Sequence, residues 1–204
     1  MGLENFIKNN KAWKEEMLKD DPGYFDELAK GQTPTTLLIG CSDSRVSPST
    51  VLGSQLGEIF IHRNIANQAK LDDPNFQAIL DYCLNVLKVE NIIVKGHYGC
   101  GGVAAAAHAH GQTGKVYEWV EPVTEILEHH PELDHAEEHE KLRKLVELNT
   151  LAQLDNIRQT ECYKKRMESG HPVNLYAWVF DINTGGIVEL QDDPQKVGAE
   201  AANM

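Results

Sequence analysis

The amino-acid sequence predicts an α/β protein with a mainly parallel central sheet flanked by helices. Three observations support this prediction. Short apolar runs typical of buried parallel strands alternate with longer segments of helical periodicity. Two of these runs end in polar turns, at 40–45 and 96–102, where parallel sheets place their ligand sites. The segment 175–190 instead has a strand–turn–strand pattern, which predicts a C-terminal antiparallel edge strand.

Length, net charge and hydrophobic patterning restrict the class of protein. A chain of 204 residues with 41% hydrophobic content is long enough to bury a core, and we predict a single domain over 1–204. The net charge of -12 argues against nucleic-acid binding, which usually needs a basic face. No apolar run is long enough for a membrane-spanning helix, so we expect no membrane partner, and no signal-peptide pattern follows Met1. We therefore expect a cytoplasmic protein, or an organellar one if a transit peptide has been removed.

Residues 1–30 are predicted to form a helical arm in two pieces. Phe6, Trp13 and Met17 recur at helical spacing, and Asp21-Pro22 marks the start of the second piece. The first piece is highly charged and has few apolar residues. We interpret it as an arm that packs on a partner subunit, with an ordinary surface helix as the alternative.

The segment 32–62 is predicted to contain the first two strands. The apolar run 36–39 leads into Cys41, and a helical turn opens at 47–49. A second strand is predicted over 57–62. The residues between Cys41 and the helical turn are therefore expected to lie at the carboxyl end of a strand.

A capped helix and a third strand continue the parallel sheet. Asp73 followed by Pro is a helix start, and the apolar face over 76–87 includes Cys83, which we interpret as a core residue. A strand follows at 91–95, and Gly102 begins an alanine-rich helix. Strand, helix and strand in this order predict a right-handed crossover.

The segment 117–168 is predicted to be mostly helical and acidic. Its apolar residues at three-residue spacing predict one core-facing stripe on a helix: Leu142, Leu145, Leu148, Leu151, Leu154 and Ile157. Four histidines also occur here and are interpreted as surface residues, because no third metal-binding partner accompanies them: His129, His130, His135 and His139.

Two cysteines and a histidine follow the predicted strands at one edge of the sheet. Cys41, His97 and Cys100 offer two thiolates and one imidazole, a set that leaves zinc a fourth, open position. Each alone is more typical of a buried thiol or a turn residue. The glycines of 96–102 also resemble an anion-binding loop, but a nucleotide fingerprint is incomplete. We expect them to bring N–H groups, such as that of Gly101, against a small anionic product.

Asp43 and Arg45 lie two and four residues beyond Cys41. A guanidinium beside a carboxylate favours the ionised carboxylate. We predict that the pair holds an acceptor for the proton of a metal-bound hydroxide and so orients its lone pair. If Arg45 released it, Asp43 would reach the metal and close the site. An ordinary surface ion pair is the alternative.

The motif Cys41-x-Asp43-x-Arg45, followed by His97-x-x-Cys100-Gly101-Gly102, resembles the β-class carbonic anhydrases. The resemblance runs from Gln32 to the last strand pair and includes 62–67 and 88–92. It implies zinc-dependent reversible hydration of CO2 to bicarbonate and a proton. It also implies one Zn²⁺ per subunit on Cys41, His97 and Cys100, with Asp43 and Arg45 as the gating and orienting pair.

The same resemblance implies a substrate pocket and an assembly. Gln32 would donate a hydrogen bond to the substrate, while Phe60, Ile65 and Tyr82 would line an apolar pocket, partly across a dimer interface. An apolar slot suits CO2, which has no net charge or dipole. The implied partners are CO2 or bicarbonate and further copies of the chain, in a homodimer or a dimer of dimers.

One feature of the family is incomplete in this sequence. Some members carry a secondary bicarbonate site built from a Trp three residues before the first Cys, an Arg, and a Tyr in the late strand. The corresponding positions here hold Leu38, Arg63 and Phe180. Because two of the three polar groups are missing, we predict that bicarbonate does not regulate this protein through that site.

Two other functions stay open at the level of sequence. The first is hydrolysis of CS2 or COS on the same scaffold, which would need a narrow apolar route to the metal. The second is a non-catalytic zinc or redox-thiol protein. In that case Asp43 would be a permanent fourth ligand, and its replacement would disrupt folding more than turnover.

Overall fold

The computed structural model describes residues 2–192. These residues form two compact units, which divide between Thr33 and Pro34. The second unit contains a five-stranded sheet in the order β2-β1-β3-β4-β5. The strands are β1 (Thr36–Cys41), β2 (Ile59–Asn64), β3 (Asn91–His97), β4 (Asn174–Asp181) and β5 (Gly186–Glu189).

The helices of the second unit alternate with these strands along the chain. They are α3 (Pro48–Leu52), α4 (Pro74–Asp81), α5 (Gly101–Ala107), α6 (Lys115–Glu128), α7 (Glu138–Gln159) and α8 (Glu161–Glu168). The helix α4 continues as a π-helical segment, Tyr82–Leu87, and short 3₁₀ turns occur at Ile65–Asn67 and Pro131–His135. Within the described range, none of the helices combines the length and apolar character needed to cross a bilayer.

The first unit contains the two predicted helical pieces, α1 (Leu3–Asp20) and α2 (Tyr24–Leu28). The second helix begins two residues after Pro22, because a turn in which Asp21 accepts a hydrogen bond from the N–H of Gly23 at 2.9 Å precedes it. No residue of α1 is buried. Packing of this arm on a partner subunit stays a prediction.

The strand directions confirm the predicted fold class. The strand β1 pairs in parallel with β2 and β3, and β3 pairs in parallel with β4, whereas β5 is antiparallel to β4. Because β1 and β3 are parallel neighbours, their carboxyl ends emerge side by side. The residues that follow these two strands therefore meet at one edge of the sheet.

The core lies between the sheet and the helices α4 and α7. Leu37 and Ile39 of β1 and Val94 of β3 are fully buried against Phe76 of α4 and Leu154 of α7. Cys83 is a buried member of the same cluster, where burial raises its pKa to about 12. That placement agrees with its interpretation as a core residue.

The helix α4 starts where its sequence predicts. The carboxylate of Asp73 accepts a hydrogen bond from the N–H of Asn75 at 2.9 Å, and Pro74 occupies the first turn.

The four histidines of the acidic segment belong to no cluster of three potential metal ligands within 2–192.

Candidate metal and active site

Two strands and one helix deliver the three candidate ligands. Cys41 ends β1, His97 ends β3, and Cys100 is the residue before α5. All three are buried, and their ligand atoms lie within 4.8 Å of one another. The Sγ atoms of Cys41 and Cys100 are 3.8 Å apart. The sequence places these residues far apart along the chain, and the parallel pairing of β1 and β3 brings them together.

The geometry of this cluster fits a tetrahedral zinc ion. Two sulfurs bound at about 2.3 Å in a tetrahedron are separated by roughly 3.8 Å, which agrees with the observed Sγ–Sγ distance. The Nδ1 atom of His97 lies 3.2 Å from the carbonyl oxygen of Tyr98, so it carries the proton and donates it there. The buried Nε2 atom has no hydrogen-bond partner among the described residues. A buried nitrogen with a free lone pair is costly unless it binds a ligand.

The two thiols differ in acidity. A hydrogen bond from the Cys100 thiol, together with backbone N–H groups at Asp43 and Ala66, outweighs burial and lowers the pKa of Cys41. The pKa of Cys100 is raised, because its proton is hydrogen-bonded to Cys41 and the side chain is buried. A divalent cation that binds both sulfurs as thiolates displaces the proton shared between them.

Arg45 binds the Asp43 carboxylate in a two-pronged geometry. Its Nε donates to Oδ1 at 3.0 Å and its Nη2 to Oδ2 at 2.6 Å, and the backbone N–H of Arg45 donates to Oδ1 at 2.9 Å. These bonds hold the pKa of Asp43 well below its usual range. The Oδ2 atom lies 3.9 Å from Nε2 of His97. An ionised carboxylate therefore stands beside the candidate metal position.

Two further cations bind the backbone of the segment that carries Asp43. Arg63 donates from Nε to the carbonyl of Cys41 at 2.8 Å and from Nη2 to the carbonyl of Asp43 at 2.6 Å. Lys95 donates from Nζ to the carbonyl of Val46 at 3.2 Å. Lys95 is only 1% exposed, and burial lowers its pKa to about 8.

The sequence interpretation did not identify Lys95 as part of the site. The available signal was a charged residue inside the apolar run that forms β3, where a lysine is unexpected unless it has a partner. Arg63 was considered only for the secondary bicarbonate site. Leu38 and Phe180, the other two residues of that comparison, are both buried.

A cavity of about 340 Å³ opens beside the cluster. Its lining comes from the strand end, the turn after β2 and two helices: Cys41, Ser42, Asp43, Ile65, Gly101, Gly102 and Val116. Of the residues predicted to contact the substrate, Ile65 and Gly101 line this cavity. The space beside Gly101 is open, since an added Cβ there would meet no atom within 4 Å.

Val116 of α6 is a lining residue that sequence reasoning missed. It lies well beyond Cys100 along the chain, and no local motif marks it. The contact that brings α6 here is a hydrogen bond of 2.8 Å from Nε1 of Trp119 to the carbonyl of Ile65. Only the packing of α6 on the turn after β2 reveals this residue.

Three other predicted pocket residues do not line this cavity within the single chain. Phe60 and Tyr82 pack on each other with ring centroids 5.9 Å apart. Gln32 is an exposed residue of the first unit. The roles expected of these residues, including those across a dimer interface, stay predictions.

Comparisons with known proteins identify the family of this chain. The Carbonic anhydrase family model matches residues 36–187. A carbonic anhydrase of Emericella nidulans is 36% identical over 193 residues, which cover 93% of this chain and 84% of that protein. A carbonic anhydrase of Pseudomonas aeruginosa is 36% identical over 171 residues, covering 81% and 77% of the two chains.

Solved structures show the same likeness in three dimensions. A tetrameric β-carbonic anhydrase of Sordaria macrospora superimposes with a TM-score of 0.86 at 36% identity, covering 92% of this chain and 95% of that one. The Coccomyxa β-carbonic anhydrase in complex with acetazolamide gives a TM-score of 0.88 at 31% identity, covering 97% and 91%. This chain therefore belongs to the β-carbonic anhydrase family and is a carbonate dehydratase.

Proposed function

We propose that this enzyme hydrates CO2 reversibly to bicarbonate and a proton at one zinc ion per subunit, held by Cys41, His97 and Cys100. The observation that carries the proposal is the buried, unpartnered Nε2 atom of His97 beside two sulfurs 3.8 Å apart. Zinc bound there supplies Lewis acidity, which lowers the pKa of water enough to provide a nucleophile near neutral pH.

The Asp43–Arg45 pair orients that nucleophile. Arg45 keeps the carboxylate of Asp43 ionised, so Oδ2 is a hydrogen-bond acceptor at neutral pH. By accepting the nucleophile's proton in a hydrogen bond, Oδ2 directs the lone pair towards the cavity. The position of Oδ2, 3.9 Å from Nε2 of His97, supports this assignment.

The cavity provides the place for substrate. Ile65 and Val116 supply apolar surface, which suits the uncharged CO2 molecule. Gly101 supplies a backbone N–H beside open space, and we assign this group to an oxygen of bicarbonate. We assign Gln32, Phe60 and Tyr82 to the substrate pocket of the assembled enzyme, a homodimer or dimer of dimers.

The experiment that tests the proposal removes the orienting pair. We expect Asp43→Ala and Arg45→Ala each to lower kcat for CO2 hydration by about 100-fold, because the nucleophile is no longer oriented. Stopped-flow hydration assays measure kcat, and metal analysis measures zinc per subunit. Zinc content should stay close to one per subunit in both variants.

A matched control is Asp72→Ala, which removes an exposed carboxylate that lines no part of the cavity. It should keep wild-type activity and zinc. Loss of zinc or of folding in Asp43→Ala would instead favour the non-catalytic alternative, in which Asp43 is a permanent ligand. A zinc-free wild-type enzyme with full activity would refute the proposal.

A further inference from the structure

Lys95 is a buried charged residue whose nearby partners are one carbonyl, one aromatic ring and the sulfur of Cys41. It lies on β3, in register with Gly40 on one side and Trp178 on the other. Its ammonium group is buried, and its oxygen partner among the described residues is the carbonyl of Val46. The ring of Phe180 lies 5.5 Å from Nζ and adds a cation–π contact.

The neighbouring charge makes this position less favourable still. Gly40 pairs with Arg63 on β2 and with Lys95 on β3, so the two cations flank one glycine on the same face of the sheet. Like charges repel in such an arrangement. Burying a cation with few acceptors costs free energy that an apolar side chain of the same size avoids. The Cys41 sulfur offsets part of this cost, but an apolar side chain of the same size would need no such compensation.

What the lysine does contact is the segment of the proposed orienting pair. The N–H of Val46 donates to the carbonyl of Asp43 at 3.2 Å and closes a turn around Arg45. Lys95 binds the carbonyl at the end of this turn, while Arg63 binds the carbonyl of Asp43 near its start. Both ends of the turn are thus tied to the sheet.

We propose that Lys95 is a positioning residue. It holds residues 42–46 in the geometry that keeps Asp43 paired with Arg45 and out of the metal position. Oδ2 of Asp43 lies only 3.9 Å from Nε2 of His97, so a small shift of the turn is enough to bring the carboxylate into the metal position. The hydrogen bond from Lys95 on β3 to the carbonyl of Val46 prevents this shift. The inference rests on the function proposed above for Asp43 and Arg45.

The test replaces Lys95 by Met, which fills the same space without a donor, and measures the zinc-loaded enzyme. We expect kcat to fall about tenfold or more, because the orienting carboxylate is displaced by a fraction of an ångström or more. Hydrogen exchange of the amides in 42–46, measured by mass spectrometry, should become about tenfold faster. Zinc content should not change, and the unfolding temperature should stay the same or rise.

Three further variants make the result decisive. Lys95→Arg keeps a cationic donor and should recover most of kcat and slow exchange. The side chain of Lys95→Gln is one bond too short to reach Val46, so this variant should show the same losses as Lys95→Met. It replaces Lys95→Met if Lys95→Met fails to fold. Lys164→Met removes an exposed lysine of α8 and should behave as wild type in every measurement.

Two results would overturn the inference. The first is exchange in 42–46 that is the same in Lys95→Met and Lys164→Met, whatever the activity. The second is a fall in kcat that is matched by an equal fall in zinc content. Because exchange needs no turnover, these results differ from failure of the proposed function, which would appear as an active Asp43→Ala variant or an inactive, zinc-loaded wild type.

Discussion

The chemical state of His97, one of the proposed zinc ligands, depends on neighbouring groups. The carbonyl of Tyr98 fixes the proton of His97 on Nδ1 and leaves Nε2 free. Tyr98 is itself held, since its hydroxyl donates to Oε1 of Glu147 at 2.8 Å and the guanidinium of Arg143 lies 3.5 Å from its ring centroid. A side chain on α7 thereby fixes the orientation of a ligand that belongs to β3.

Burial of His62 predicts a pH dependence of stability. His62 is 5% exposed, and burial lowers its pKa, a shift that Asp73 partly offsets. The amide nitrogen of Asn64 donates to its Nε2 at 3.2 Å, which requires a neutral ring. His62 therefore binds a proton less readily in the folded protein than in the unfolded chain, where the pKa of a histidine is about 6.5. The stabilising contribution is complete above that pH and is lost as pH falls towards the folded-state pKa.

Urea unfolding of the wild type and of His62→Gln between pH 8 and pH 5 measures this effect. The wild type should lose more unfolding free energy than the variant over this interval, by roughly 1.4 kcal/mol for each unit of pKa shift. Equal losses in the two proteins would show that His62 keeps its ordinary pKa.

Arg63 gives a second prediction for a single residue. Its guanidinium already binds two backbone carbonyls, and its expected neighbours for bicarbonate are the apolar side chains of Leu38 and Phe180. We expect bicarbonate to act on the enzyme only as the reaction product. Initial rates of hydration at increasing bicarbonate should fit simple product inhibition, whereas sigmoidal inhibition lost in Phe180→Leu would contradict the prediction.

At the scale of elements, α7 differs from its expected role. The sequence predicts a stripe of leucines, but Leu142, Leu148 and Leu151 are only partly buried. Leu145, Leu154 and Ile157 are buried as predicted, and the buried face also contains three polar side chains: Asn149, Thr150 and Gln153. Hydrophobic spacing alone cannot identify such a face, because Asn149 and Gln153 find their partners outside α7 and Thr150 donates back to the carbonyl of Val146.

Two of these polar residues, Asn149 and Gln153, support the turn Ile65–Asn67 beside the cavity. Ala66 and Asn67 have φ values of 61° and 48°, in the left-handed region, which is unfavourable for Ala and adopted more readily by Asn. The side chains of Asn149 and Gln68 donate to the carbonyl of Ala66 at 3.0 and 2.8 Å. The N–H of Ala69 donates to Gln153 at 2.8 Å. The strained turn that presents Ile65 to the cavity is therefore held from behind by α7.

Close packing of β3 on α7 leads to a testable prediction at this scale. A Cβ on Gly96 would lie 3.3 Å from Cγ1 of Val146 and far too close to Oγ1 of Thr150. Gly96→Ala should destabilise the protein by about 1–3 kcal/mol through overpacking. The double variant with Thr150→Ala should recover part of this loss, which urea unfolding in a double-mutant cycle measures. Strictly additive effects would show that the contact is absent.

At the scale of the whole molecule, the open question is assembly. We expect the 22.8 kDa chain to form dimers or tetramers, and light scattering should give a mass that is an even multiple of this value. The helices α1 and α2 form a unit of their own, and α1 buries none of its residues in the single chain. If the arm packs on a partner, removal of residues 1–33 should lower the assembly state. An unchanged mass for the shortened chain would favour the surface-helix interpretation.

The sequence by itself determined the family, the parallel fold and the grouping of Cys41, His97 and Cys100. These features can be inferred locally, because each ligand follows an apolar strand and parallel strands end at a common edge. The tertiary structure decided what the strand register and helix packing bring together. It placed Val116 in the cavity, Lys95 against Val46, and the polar face of α7 behind the turn at Ile65. A one-dimensional pattern records which side chains are apolar, whereas the partner that makes a buried polar group tolerable is chosen only when the elements pack.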